Sequence, residues 1–278
     1  MTAWAEARLG YTDCAVVVSG WPAGPPLTTL NHLRGALGRV LGESASEEAL
    51  KGAPCPFDPP CAFDLFHNAQ GEIDGREVPK PFVLRADRDG AQTKLTLRLF
   101  GGADRWHHGF HQALIAACRR ELGQARLTVS GAWVARAAAG PLDHRAGEIT
   151  LETPLILRGR ALEGRAAGQR IDAEEIAGAL FNTLRQRLLG LSFWGEARAL
   201  SEALADQARR GPLPVQFHGA LTLQRIQRGA GARTRLGLTG KIAFSGAEMD
   251  ARALLGLAKA AHIGADTVIG AGRISIAP

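Results

Sequence analysis

Four stretches of this chain hold residue types that could do chemistry. LNHLRGALGR (Leu30–Arg39) carries His32, Arg34 and Arg39. At about 100° per helical residue, His32 and Arg39 fall within about 20° of each other, across from Leu30, Leu33 and Leu37. Both therefore face solvent or a ligand, with Gly35 leaving room between them, while Arg34 sits at the border of the apolar stripe and can turn either way. HHGFH places His107 and His111 one helical turn apart, a spacing that can hold zinc, although no HExxH or paired cysteines complete a ligand set. Cys55, Cys61 and His67 offer a second, irregularly spaced group of metal-ligating types. The late stretch HIGADTVIGAGRISI (His262–Ile276) has Gly264, Gly270 and Gly272, with Lys259 before it and Arg273 inside it. Such a loop either lets backbone N–H groups approach a phosphate chain or simply makes a tight helix-to-strand turn. It lacks the GxxxxGK[ST] of a phosphate-binding loop and no βαβ unit follows it, so no nucleotide cofactor is expected, and no metal.

The charge balance bears on the partner. The chain has five Lys against twenty-eight Arg, a net charge of +6 and a pI near 9.6. Arginine's planar fork matches phosphate oxygens, so the bias suits a polyanion, and it equally suits a GC-rich genome. The pairs Arg185/Arg187, Arg209/Arg210, Arg225/Arg228 and Arg233/Arg235 all lie in the second half, where strand alternation would put Arg233 and Arg235 on one sheet face. No apolar run approaches the ~18–20 residues of a membrane span, the four cysteines show no CxxC or disulfide density, and no basic-then-apolar leader opens the chain. A cytoplasmic protein with no membrane partner is the expectation.

The elements that must position these residues alternate through both halves. CAVVVS reads as a strand, and TTLNHLRGALGRVLG as a Thr-started helix with Leu30, Leu33, Leu37, Val40 and Leu41 on one stripe. Residues 43–80 are rich in Gly, Pro and Asp and read as a long irregular excursion. KLTLRLF alternates Leu95, Leu97 and Leu99 against Lys94, Thr96 and Arg98, as a half-buried strand does. A helix from about His107 to Leu122 and a strand around ARLTVSGAWVAR close the first half. AAAGPLDHRAG marks a domain boundary. The second half repeats the pattern: EITLETPLILRG as strand, a long helical region from about Asp172 to Arg210, a hairpin on either side of GAGA, a helix from about Ala247, and a last strand in GRISIA. Each half thus predicts a β-α-β-β-α-β unit. The expected fold class is α+β, two tandem ferredoxin-like (RRM-like) domains with helical additions, spanning 1–140 and 141–278.

LNHLRGALG, PKPFVL, LTLRLFGGA, ETPLILRG and HIGADTVIGAGRI occur in this order, and together the chain resembles the CRISPR-associated precursor-RNA endoribonucleases of the repeat-associated mysterious protein (RAMP) superfamily. Gly264, set between His262 and Asp266, departs from the common form of the glycine motif. The resemblance implies binding of a CRISPR repeat stem-loop and metal-independent cleavage at its base, leaving a 2′,3′-cyclic phosphate. It further implies a guide RNA kept by the protein alongside other CRISPR effector subunits. Such cleavage uses the neighbouring 2′-hydroxyl as nucleophile, so the protein supplies a base, cations and an acid. The family's helix-borne histidine corresponds to His32, with Arg34 and Arg39 as its cationic neighbours. The only tyrosine, Tyr11, precedes the first strand, so arginine is expected to take the larger share, and the arginine content suggests the type IV form. The same resemblance puts the four arginine pairs, Lys259, Gly264, Gly270, Gly272 and Arg273 near RNA. Two alternatives remain open at this point: an RNA-binding subunit without nuclease activity, and a metal-dependent hydrolase built on His107, His108 and His111.

Overall fold

A computed structural model of the protein describes residues 3–73, 75–120, 125–157, 161–195, 198–211, 213, 215–227 and 234–278. Its contacts divide the chain into two compact units, one of Tyr11–Ala137 and one of Met1–Gly10 with Ala138–Pro278. The short helix α1 (Ala3–Glu6) and the first residues of β1 (Leu9–Ser19) thus group with the C-terminal unit.

In the first unit β1 leads into α2 (Pro26–Gly42), followed by short helices α3 (Glu47–Leu50) and α4 (Ala62–His67) and a small hairpin of β2 (Glu72–Ile73) and β3 (Arg76–Glu77). The hairpin β4 (Phe82–Asp89) and β5 (Gln92–Phe100), helix α5 (His107–Arg119) and β6 (Thr128–Ala139) complete it. The sheet order is β4-β5-β1-β6, so the central pair comes from strands distant in sequence. Leucines drive this arrangement: Leu95, Leu97 and Leu99 on β5 and Leu33 and Leu37 on α2 are wholly buried, as are Phe110, Leu114, Ala117 and Cys118 on α5. Burial pushes the Cys118 thiol up to about 12 and, aided by Asp13 and Asp104, the Cys14 thiol likewise, which leaves both inert as packed side chains.

One expectation about β5 needs correcting. Lys94 is exposed, but Thr96 and Arg98 on the same face are buried. The strand is interior, flanked by β1 and β4, and its register sets Arg98 opposite Asp13. Arg98 forks onto that carboxylate, Nε at 2.7 Å and Nη2 at 2.8 Å, and its guanidinium carbon lies 3.7 Å from the centre of the Tyr11 ring. The 43–80 excursion is also more ordered than its composition suggests, since α3 and α4 lie within it; Ser46 caps α3 by accepting from the Ala49 amide at 3.1 Å.

The second unit runs β7 (Gly147–Leu155), β8 (Arg170–Asp172), α6 (Ala173–Ser192), α7 (Arg198–Arg210), β9 (Gln216–His218), β10 (Ala220–Ile226), β11 (Arg235–Ser245), α8 (Met249–Ala261) and β12 (Ile274–Ala277). Its sheet order is β12-β7-β11-β10-β8, with β9 added to β11. Taken as β7-α6-β10-β11-α8-β12, it repeats the connectivity and strand order of the first unit. The fold is therefore α+β with two ferredoxin-like sheets in tandem, as the strand and helix alternation predicts. Asp172 caps α6, its carboxylate accepting from the Glu174 amide at 2.9 Å, and Ile176, Leu180, Leu184 and Leu188 form the buried stripe. Among the described residues no helix is long and apolar enough to cross a membrane.

Candidate functional site

Helix α2 positions His32, Arg34 and Arg39. Pro26 occupies its first turn, where a missing N–H costs nothing, and Leu30, Leu33, Leu37 and Leu41 bury one face. His32 and Arg39 are exposed on the other side, and Arg34 is half-buried with its guanidinium carbon 5.5 Å from the centre of the Phe66 ring. Between Arg34 and Arg39 runs a strip of three glycines, Gly35, Gly38 and Gly42, at helical spacing.

That strip is one wall of a cavity of about 480 Å³, closed by Leu50, Phe63, Phe66 and His67 from α3 and α4. The His67 ring stacks on Phe63, with centroids 5.2 Å apart and planes 5° from parallel. Arg34, Arg39 and Glu43 are the charged groups of the lining. Arg120 pairs with Glu43 at 2.7 Å, and its hydrogen bond holds that carboxyl below the usual range. Asn68 fixes the end of α4 by donating to the Ala49 carbonyl at 2.9 Å and to the Asp64 carboxylate at 2.8 Å. Behind it, Lys80 donates to the Asn68 carbonyl. Burial, opposed by Glu77 and reinforced by Arg34, lowers the Lys80 ammonium to about 8. An exposed imidazole, two guanidiniums and a stacked ring pair can together hold a phosphate, move a proton and pack against a planar apolar group.

The other candidate residues do not gather at this site. His107 Nδ1 lies 2.8 Å from the Asp104 carbonyl and His111 Nε2 lies 3.3 Å from the Ala15 carbonyl, so each ring has a structural partner. The Cys61 amide donates to Cys55 Sγ at 3.2 Å while His67 faces the cavity, and among the described residues no group of three or more His, Cys, Asp or Glu is placed to hold a metal ion.

The glycine loop is built as a chain crossing, where two of its glycines lie too close to neighbouring backbone for a side chain. A Cβ on Gly264 would lie 2.4 Å from the Ile156 carbonyl oxygen, and one on Gly272 would lie 1.7 Å from that of Ile263. Both residues have positive φ, at +94° and +67°. Several amides of the loop are used within the protein: Ile263 donates to Gly272, Ala265 to Ile156, Gly270 to Thr267, Gly272 to Pro154, and Arg273 to the Thr153 hydroxyl. Gly270 is buried, Lys259 is exposed at the end of α8, and Arg273 is half-buried.

Among the arginines, Arg187 is a second correction. Two residues apart on a helix point to opposite sides, so Arg185 is half-exposed while Arg187 is buried, its Nε 3.4 Å from the Ala261 carbonyl. Arg209 and Arg210 are exposed at the C-terminus of α7 but pair with Asp206, and Arg210 also with Asp250 at 3.0 Å. Arg225 and Arg235 are exposed, and the β10–β11 register pairs Arg225 with Leu236 and Arg235 with Ile226, which sends the two side chains to opposite faces. Arg235 lies 3.6 Å from Asp266. Arg228 and Arg233 lie outside the described residues.

His67 and the ring it stacks on are the site residues that sequence reasoning weighed only for metal binding or passed over. A signal was present: three glycines at positions i, i+3 and i+7 of one helix, in whose interior alanine is the better helix former by about 1 kcal/mol per residue.

The tandem ferredoxin-like fold is that of solved CRISPR-associated Cas6 and RAMP structures. A Cas6 (TTHB231) product complex, a protein of Thermus thermophilus, is 20% identical over 96% of this chain and 99% of its own, with a TM-score of 0.60. A Cas6 (TTHA0078) substrate mimic complex is 15% identical over 96% and 99%, with a TM-score of 0.53. A RAMP protein binding different RNA substrates is 9% identical over 96% and 100%, with a TM-score of 0.52. The family model AF_1859_N, N-terminal domain, matches residues 26–145, and no curated protein matches.

Proposed function

We propose that the chain is a metal-independent endoribonuclease that binds the stem-loop of a CRISPR repeat and cleaves precursor CRISPR RNA to guide RNA, in the type IV form. It then keeps its product as a subunit among other effector proteins. The observation that carries this reading is the exposed His32 and Arg39 face of α2, set in a fold whose Cas6 (TTHB231) neighbour is a product complex.

In this chemistry the RNA's own 2′-hydroxyl attacks the adjacent phosphorus. Its proton leaves to a base, the bond to the 5′ oxygen breaks, and that oxygen takes up a proton, giving a 2′,3′-cyclic phosphate and a 5′-hydroxyl. An imidazole can give and take protons near neutrality, which fits His32 to the transfer. Guanidiniums stay charged and make poor bases, so Arg39 and Arg34 act by neutralising the phosphorane and holding the strand in line. The half-exposed Arg185 and the exposed Arg209, Arg210, Arg225, Arg235 and Lys259 of the second unit supply sequence-independent phosphate contacts along the stem.

Labelled repeat RNA incubated with the protein in EDTA tests this. His32→Ala is expected to slow single-turnover cleavage about 100-fold or more, within the range of lost acid–base catalysis, with Kd changed only a few-fold. Unchanged rates in His32→Ala and Arg39→Ala would refute the assignment. Tight binding with intact RNA would instead select a non-catalytic RNA-binding subunit. That second role is favoured by the chain's one tyrosine, Tyr11, which lies under Arg98 in the sheet.

A further inference from the structure

We infer that the cavity beside α2 is a subsite for one unpaired nucleotide of the bound RNA, the base lying along the glycine strip against the Phe63–His67 pair and the phosphate on Arg34 and Arg39. This rests on the proposed function and names a part of its substrate.

Packing does not demand the space. A Cβ on Gly35 would have its nearest neighbour, the Arg39 side chain, at 3.9 Å, and one on Gly42 would meet the Phe63 ring at 3.6 Å, both ordinary contacts. Only Gly38, 3.3 Å from Phe66, is tight. Gly35, inside the helix, is therefore kept where alanine fits and strengthens a helix, Gly42 in the last helical position also has room, and the strip borders an open volume of about 480 Å³. That lies within the range of about 300–1,000 Å³ typical of small-molecule sites.

Charge and shape then select the occupant. Glu43 is paired with Arg120, and the exposed guanidinium of Arg39 in the lining favours an anion. Phe63, Phe66 and Leu50 offer apolar walls, and the parallel Phe63 and His67 rings offer an aromatic platform. A planar apolar group attached to a phosphate is a nucleotide. A base paired within the stem cannot lie along the glycine strip without leaving its stack, so the nucleotide is one outside the stem. Its place along the strand follows from α2. Arg39 is seven residues beyond His32 in the sequence. That is about two helical turns on one side of α2, so the nucleotide is the one joined to the phosphate that the proposed function sets against His32 and Arg39.

The test measures equilibrium binding of full-length protein to the repeat RNA of the host's own CRISPR array. The RNA carries 2′-O-methyl groups so that binding is read without cleavage. It is prepared as the bare stem-loop, with its single-stranded flanks, and with each flank base replaced in turn by an abasic residue. One abasic position is expected to weaken binding about tenfold, the low end of a stacked base. In Gly35→Leu, which fills the cavity with a better helix former, and in His67→Ala, the same abasic substitution should change affinity less than twofold. Failure to bind even the bare stem-loop would overturn the proposed function and this site with it. Stem-loop binding with no sensitive flank base, or with a sensitivity that survives both variants, would overturn the subsite alone.

Discussion

Replacing Gly35 by alanine should stabilise the RNA-free protein, and replacing Gly38 should not. Both residues sit inside α2 with helical backbone, where glycine costs about 1 kcal/mol relative to alanine. At Gly35 the added methyl meets nothing closer than the flexible Arg39 tip at 3.9 Å, so nearly the whole propensity gain should appear: about 1 kcal/mol. For a protein of this size that corresponds to a rise in Tm of roughly 2–4 °C. At Gly38 the methyl would sit 3.3 Å from the Phe66 ring, which is buried and stacked on Phe82 at 4.8 Å, so the ring must shift against a packed neighbour. The gain there should be cancelled or reversed. Urea denaturation of both variants with intrinsic Trp fluorescence, checked by calorimetry, reads the difference. If Gly35→Ala is no more stable than the parent, or if Gly38→Ala gains as much, then the cavity beside α2 is not empty space kept at the expense of helix stability.

Gly272→Ala should be among the most damaging single substitutions. Its Cβ would lie 1.7 Å from the Ile263 carbonyl oxygen at a φ of +67°, whereas Gly168→Ala, at +88° with nothing within 4 Å, should lose only about 1–2 kcal/mol of backbone strain; equal denaturation midpoints for the two would contradict the crossing-loop assignment. Lys80→Met should stabilise the protein at pH 7 by about 1–2 kcal/mol, after allowance for partial exposure, with the Asn68 carbonyl still accepting from Gln70 at 3.2 Å. Because the folded ammonium is lowered to about 8, the unfolded chain holds more protons between pH 8 and the usual lysine value near 10.4, and the parent regains stability as pH rises through that window. The advantage of Lys80→Met should therefore shrink toward pH 10, and a difference that stays flat with pH would show that Lys80 is not desolvated.

Periodicity made the fold legible. The leucine alternation of KLTLRLF, the Leu30–Leu41 stripe of α2 and the Ile176–Leu188 stripe of α6 each report burial on one side, and each is buried except at Val40, which is half-buried. What periodicity does not carry is the state of the second face. Thr96 and Arg98 read as the solvated side of β5, yet sheet position and the Asp13 pairing bury them. Pairwise adjacency misled in the same way for Arg185 and Arg187, since neighbours in sequence share a surface only when the element's period brings them together.

Glycine explains why the candidate site was less legible than the fold. The closing loop and α2 both attract attention by their glycines, and the one-letter code does not say which physical reason applies. In the loop, Gly264 and Gly272 are required because a neighbouring carbonyl occupies the place of a side chain, so the sequence signal at these two positions reports internal packing. In α2, Gly35 and Gly42 have room for a methyl, so their signal reports space left unfilled on the outside of a helix. The first kind of glycine fixes the end of β7 against the chain returning to β12. The second kind opens a cavity between two arginines and a stacked ring pair, on the helix that also presents His32. The proposed subsite therefore rests on glycines whose replacement the fold would tolerate, whereas Gly264 and Gly272 of the terminal motif are fixed by the close approach of neighbouring backbone.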